Sequence, residues 1–339
     1  METILQIKDL TTGYKSGSER KVVTSDINAD LYKGELVCLI GPNGAGKSTL
    51  MRTISGAQQP LTGSVHLDGT DIYKIPPRQL AKKLSLVLTE RVNAGMLTAY
   101  EVVALGRYPH TNWSGKLNMS DHHIIHEAIE IAGATDLAER SLSELSDGER
   151  QKIMVARAFA QEPEIMILDE VTAFLDLPRR VEIMKLLKNM AHQSNKCTLL
   201  STHDMDLALR GADRIWLLPK GSGLQIGSPE DLVLDGSFEE AFQSEGVSFD
   251  LETGSFKIHS EYGSSVSLKG GTKEAIQWTQ RAMERAGIKV EKSADCQIVI
   301  ENNDNTTLWR VVSRNEEVQC GSIHELIQTV KRTQNLTVY

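Results

Sequence analysis

The sequence predicts an α/β fold built around a phosphate-binding loop, followed by a smaller α+β domain. Three observations carry that expectation. Residues 36–40 are an unbroken apolar run leading into Gly-Pro-Asn-Gly-Ala-Gly-Lys-Ser-Thr (41–49). This is the G-x-x-x-x-G-K-[ST] loop, standing between a strand and a helix as the motif requires. Residues 165–168 are a second apolar run and end in Asp169-Glu170. Strands with no polar face belong to parallel sheets covered on both sides. Beyond residue 263 the pattern changes to short β-rich segments with two helical stretches among them.

The elements follow in order. Ile4, Leu5, Ile7 and Leu10 mark a first strand over residues 3–10, and Tyr14 leads into a polar turn at 15–20. Residues 22–27 and 29–32 read as two more strands feeding the loop strand, with a helix opening near Lys47. Residues 63–69 form a short strand between turns. Residues 71–83 hold Pro76-Pro77 and a short basic helix, and 84–88 form an apolar strand ending at Thr89-Glu90. Apolar residues at helical spacing predict helices over 98–105 and 121–132. His122, His123 and His126 lie on the second of these. No further ligand pattern accompanies them, so a solvated helix face is expected rather than a metal site. Ser146, with Glu149 three residues on, has the spacing of a capping box opening a helix to about residue 161. Residues 198–201 form another strand with His203 just past its end, and 215–218 with 224–226 read as a closing hairpin. Residues 265–268, 272–286, 289–292, 297–301, 307–313 and 322–331 read strand–helix–strand–strand–strand–helix.

The loop is the chemical centre. Gly41, Gly44 and Gly46 admit backbone conformations closed to residues with a Cβ, so successive N–H groups can curl round an anion. The following helix adds its unsatisfied N–H groups and partial positive charge. Lys47 is placed to reach the β- and γ-phosphates and the Ser48 hydroxyl to ligate Mg²⁺. Asp169 can hold Mg²⁺ directly or through water, and Glu170 can orient or deprotonate the attacking water. Tyr14, an exposed aromatic before a turn, can stack on a purine or simply cover a strand edge.

Composition sets limits. A chain of 339 residues has room for two domains with their own cores. The balance of 37 basic and 45 acidic groups, net −8, argues against a general nucleic-acid binder. Cys38, Cys197, Cys296 and Cys320 are scattered without a C-x-x-C pair, as expected of buried reduced thiols in a cytosolic protein. No apolar run approaches the roughly 18 residues of a spanning helix and no signal sequence opens the chain, so any membrane role is expected to come through a partner.

Over residues 1–250 the chain resembles the nucleotide-binding subunit of an ABC transporter. Residues 41–49 match that family's Walker A and residues 165–170 its Walker B. Leu-Ser-Asp-Gly-Glu-Arg-Gln (145–151) is similar to its signature, and Ala-Phe-Leu-Asp (173–176) to its D-loop. His203 resembles the switch histidine and Tyr14 the adenine-stacking aromatic. Residues 100–109 resemble the importer branch that handles iron–siderophore complexes, haem and cobalamin. The pattern departs from the family at Glu149 and Val171. It departs also at the lid glutamine, where Glu90 is assigned to the Mg²⁺ shell with Thr89 as the alternative.

The resemblance implies an ABC-type cassette at 1–258: a mixed sheet core, an antiparallel β subdomain and an inserted helical subdomain at about 91–160. Residues 265–339 would be a small accessory domain with a regulatory or dimerising role. It further implies a head-to-tail homodimer with ATP and Mg²⁺ between the subunits. Each nucleotide would meet Tyr14, Gly41, Asn43, Gly44, Ala45, Gly46, Lys47, Ser48 and Thr49 of one subunit and Ser146 and Gly148 of the other, with Asp176 at the D-loop. Glu170 and His203 would be catalytic. Integral-membrane permease subunits would be direct partners and an extracytoplasmic substrate-binding protein an indirect one, with no nucleic acid. The subunit would sit peripherally on the cytoplasmic face of the membrane and drive import of an iron chelate. The competing expectation is a soluble ABC-type ATPase or a regulatory ATP-binding module not coupled to transport.

Overall fold

In the computed structural model the chain opens on two long paired strands, β1 (Thr3–Ser16) and β2 (Glu19–Tyr32). They run further than the alternation of apolar residues suggested, and β2 joins what the sequence divides in two. The reason is visible at Asp9 and Asp26, whose backbones are left-handed at φ 47° and 55°. The pairing register shifts around each of them. Such bulges absorb an extra residue while the ladder continues. The structure describes all residues except 1, 18, 89–95, 174, 222, 243–246, 251–254, 259–262, 304–305, 314–315 and 335–339. Glu90 and Thr89, assigned to the lid, and Phe174 of the D-loop lie outside the described residues.

Next come β3 (Leu36–Ile40), α1 (Lys47–Ile54), β4 (Thr62–Leu67), β5 (Thr70–Asp71), α2 (Pro77–Lys83) and β6 (Leu84–Val87). After them run α3 (Ala99–Ala104), α4 (Met119–Ile131), α5 (Asp147–Ala160), β7 (Ile165–Asp169), α6 (Leu177–Gln193), β8 (Cys197–Ser201) and α7 (Met205–Gly211). The first unit closes with β9 (Arg214–Leu217), β10 (Gln225–Gly227), α8 (Pro229–Leu234) and α9 (Ser237–Phe242). One sheet is antiparallel, in the order β2-β1-β4-β5. The other has the order β10-β9-β3-β8-β7-β6 and is parallel except for its β10 edge. Every residue of β3, β7 and β8 is buried. Val37, Leu39, Ile165 and Ile167 join the apolar cluster that includes β1, β2 and α1. Leu36, Cys38, Ile40, Met166 and Leu168 join the cluster of helices α3 to α6. Two covered faces are why these runs carry no polar alternation.

Capping boxes at Thr98/Glu101, Asn118/Asp121 and Ser146/Glu149 open α3, α4 and α5. Arg107 ties this helical region together from the buried interior. Its guanidinium donates to Asp121 Oδ1 at 2.9 Å, and to the Ala160 carbonyl and Glu162 Oε2 at 2.7 Å each. The histidines of α4 depart from the expected solvated face only at His122. His123 and His126 are exposed as expected, the His126 ring lying 5.2 Å from the Tyr100 ring, whereas His122 is half-buried and its Nδ1 shares a 2.5 Å hydrogen bond with the Tyr100 hydroxyl. Among the described residues no cluster of three His, Cys, Asp or Glu side chains is placed to hold a metal ion.

Contacts divide the chain into residues 1–243 with 251–255, and residues 244–250 with 256–339. The second unit contains β11 (Val247–Asp250), all but the first residue of β12 (Ser255–Ile258), β13 (Ser264–Gly270), α10 (Lys273–Arg285), β14 (Ile288–Val290), β15 (Gln297–Asn303), β16 (Thr306–Ser313), β17 (Glu316–Cys320) and α11 (Ile323–Thr333). Its five-stranded sheet has the order β14-β13-β15-β16-β17. Val266, Met283, Ile298, Trp309, Val311, Leu326 and Val330 form its core, and the Trp309 indole donates to Thr279 Oγ1 at 2.8 Å. The edge strand β17 is not legible in the sequence reading, because Glu316, Glu317 and Gln319 give it a mostly polar composition.

Candidate nucleotide site

Strand register builds the site. Leu39 of β3 stands beside Ser201 of β8, and Ser201 beside Asp169 of β7. Three neighbouring parallel strands therefore end together. Gly41 follows two residues beyond Leu39, His203 two beyond Ser201, and Glu170 one beyond Asp169. In open parallel sheets such a row of carboxyl ends is where ligands bind.

The loop is shaped by what a side chain would strike. A Cβ on Gly41 would lie 2.2 Å from the Leu218 carbonyl oxygen. Gly46 has φ +106°, and its Cβ would lie 2.6 Å from Val23 Cγ1. Asn43, Gly44 and Ser48 are exposed, whereas Ala45, Lys47 and Thr49 are buried. Lys47 Nζ donates to the Gly41 carbonyl at 2.8 Å and to that of Pro42 at 3.3 Å. Burial pushes this ammonium's pKa down, against the upward pull of the Glu170 and Asp169 carboxylates. Tyr14 is half exposed, and its hydroxyl shares a 3.0 Å hydrogen bond with Thr49 Oγ1. The sequence-predicted aromatic is therefore tied to the loop helix.

Asp169 is buried at the end of β7. Glu170 leaves the strand with a left-handed backbone, φ 52°, and its N–H donates to the Ser201 carbonyl at 3.0 Å. A non-glycine residue held in that region costs about 1–3 kcal/mol and is concentrated at functional sites. Its Oε1 lies 2.6 Å from His203 Nε2. The carboxylate and the histidine, 33 residues apart in sequence, are thus one unit in space.

Ser146, Gly148 and Asp176 form a second group, gathered by α5 and α6. Ser146 accepts from the Glu149 N–H at 3.3 Å, while Glu149 Oε2 accepts from the Ser146 N–H at 2.8 Å. Asp176 caps α6 by accepting from the Arg179 N–H at 3.2 Å. Arg179 Nη1 would lie 2.6 Å from a Cβ on Gly148, so this guanidinium belongs to the same group. Sequence reading misses it, since its only signal is a place three residues beyond Asp176.

A phosphate loop, an acidic strand end and a histidine in register on one parallel sheet define a phosphate-loop NTPase. Comparison with known proteins narrows the class. Residues 24–173 match the ABC transporter family, and residues 263–331 match the iron ABC transporter C-terminal domain. An uncharacterized ABC transporter ATP-binding protein of Methanocaldococcus jannaschii is 41% identical over 255 residues, covering 75% of this chain and 87% of that one. The iron(3+)-hydroxamate import ATP-binding protein of Bacillus subtilis is 34% identical over 239 residues, 70% of this chain and 87% of that one. An ATP-binding cassette solved as a dimer in a post-hydrolysis state with ADP and Pi superposes with a TM-score of 0.59, at 28% identity, over 67% of this chain and 99% of its own. The chain belongs to the ATP-binding proteins of ABC transporters. It has the ABC cassette fold and is a nucleotide-binding ATPase.

Proposed function

We propose that this chain energises the import of an iron chelate, with an iron–siderophore complex as the leading substrate and haem or cobalamin as alternatives. The observation that carries the ATPase half is the common register of Leu39, Ser201 and Asp169, which sets the loop, His203 and Glu170 at one sheet edge. The substrate half is supported by the match of residues 263–331 to an iron transporter domain. It is also supported by relatives named for ferric enterobactin (33% identical, Escherichia coli), achromobactin and petrobactin transport. Among the described residues no helix is long and apolar enough to cross a membrane. The chelate therefore passes through integral-membrane permease subunits, on whose cytoplasmic face this subunit docks peripherally. A substrate-binding protein delivers the chelate from the other side.

In this reading the N–H groups of residues 41–49 enclose the β- and γ-phosphates, with Tyr14 against the adenine. Lys47 exchanges the Gly41 carbonyl for phosphate oxygens. Glu170 accepts the proton of the attacking water, and His203 holds that carboxylate in line. Ser48 offers an exposed hydroxyl and Asp169 a buried carboxylate, a pair of oxygen donors suited to Mg²⁺. Glu90 is assigned as a further donor. A Mg²⁺ ion held by these residues would neutralise phosphate charge. Ser146 and Gly148 complete the site from a second copy, so closure of the dimer requires ATP and hydrolysis releases it. The separate unit at 256–339 is assigned a regulatory role.

The test is uptake. Vesicles carrying the cognate permease and this chain are expected to accumulate a radiolabelled ferric siderophore in an ATP-dependent manner, in preference to haem or cobalamin. Uptake that proceeds equally without this chain overturns the proposal.

A further inference from the structure

We propose that Arg179 is a phosphate-binding residue, adding a guanidinium to the signature end that Ser146 and Gly148 present to the partner copy's nucleotide. The proposal rests on the shared-site reading above and extends it to a residue outside the loop, strand-end and signature motifs. It starts from the empty side-chain position at Gly148. The space that a Cβ would take there is already occupied: Arg179 Nη1 would stand 2.6 Å from it, Leu175 Cδ2 3.2 Å and Arg179 Cδ 3.6 Å. The guanidinium therefore rests on the backbone of the first turn of α5. Its side chain remains 45% exposed.

Charge bookkeeping around this helix end singles out the residue. Arg140 reaches Glu149 at 3.2 Å, Arg150 reaches Asp147 at 3.5 Å, and Arg180 reaches Asp204 at 3.2 Å. Arg179 has Asp176 at 3.9 Å, the longest of the four contacts, and that carboxylate also accepts the Arg179 N–H. The acids in the first turn of α5, Asp147 and Glu149, are those engaged by Arg150 and Arg140. A cation beside a helix N-terminus meets the positive end of the macrodipole and is disfavoured there. An oxyanion lying between the two satisfies both. A guanidinium presents a fork of N–H donors that fits two phosphate oxygens at once. In the shared site the group arriving at this end of α5 is the γ-phosphate held by the partner's loop, which ADP lacks. Arg179 would thus help the closed dimer discriminate ATP from ADP.

The experiment uses the full chain carrying Arg179→Gln or Arg179→Lys. ATP-driven association is followed by sedimentation in the Glu170→Gln background, steady-state hydrolysis in the otherwise native chain, and monomer affinity with a fluorescent ATP analogue. For Arg179→Gln, the ATP concentration for half-maximal association is expected to rise about tenfold or more and kcat to fall by a similar factor, as for loss of a charge-assisted hydrogen bond. Monomer affinity is expected to stay unchanged, and Arg179→Lys to recover part of both losses. Association and kcat at native levels in Arg179→Gln overturn the assignment. Loss of monomer nucleotide binding in that variant also overturns it, because it marks a structural role. A Glu170→Gln chain with its native Arg179 that stays monomeric with ATP overturns the shared-site reading and the proposal together, whereas ATP-driven association that ignores Arg179 overturns the proposal alone.

Discussion

Glu170→Gln is expected to lower steady-state ATP hydrolysis by about 10²–10⁴-fold, the typical contribution of a positioned general base. ATP binding should survive, because the amide replaces a carboxylate that leaves the strand end beside the loop, and the loop's own contacts are untouched. The amide oxygen can still accept from His203, as Oε1 is placed to do at 2.6 Å, so the geometry is kept and only the basicity is lost. The variant should therefore hold ATP in a closed dimer. It is checked by phosphate release and by ATP-dependent sedimentation. Hydrolysis at the native rate would remove Glu170 from the mechanism.

Lys47→Ala is expected to act one step earlier and weaken ATP binding by about 10- to 100-fold, the loss of a charge-assisted contact of about 1.5–3 kcal/mol. The side chain is buried and bonded to the Gly41 and Pro42 carbonyls. In the bound state the same ammonium must face phosphate oxygens instead. Replacing it deletes that partner and leaves the loop backbone in place, so the variant should fold. Titration with a fluorescent nucleotide distinguishes the two variants: Glu170→Gln keeps its affinity and Lys47→Ala loses it. Equal affinity in native and Lys47→Ala chains contradicts this role.

The site was legible where one short stretch of sequence carries both geometry and chemistry. The glycines of 41–49 and the carboxylates at 169–170 each sit at the end of a run whose lack of polar alternation announces a doubly covered strand. The capping box at Ser146 and Glu149 was legible for the same reason. What escaped depends on distant residues. Helix α6 was not anticipated, although Ile183, Met184, Leu187 and Ala191 form its buried stripe. Its length is diluted by Arg179, Arg180, Glu182, Lys185 and Lys188 on the other faces. The unbroken course of β2 escaped because the polar Asn28, at a register shift between Ile27 and Ala29, looks in sequence like an end. The closeness of Glu170 to His203, and of Arg179 to Gly148, follows from strand register and helix packing, which no local pattern encodes.

Complementation between two disabled chains tests the shared active site most directly. Lys47→Ala removes the loop's cation, and Ser146→Arg blocks the signature end with a bulky charge. Each alone is expected to abolish ATP-dependent association and hydrolysis. Mixed together, they form heterodimers in which one site carries both defects and the other carries neither. Association with ATP and a fraction of native hydrolysis should then return, rising with the proportion of heterodimer. A native chain fully active as a monomer at high dilution, or a mixture as inert as its two components, would contradict a site built from two copies.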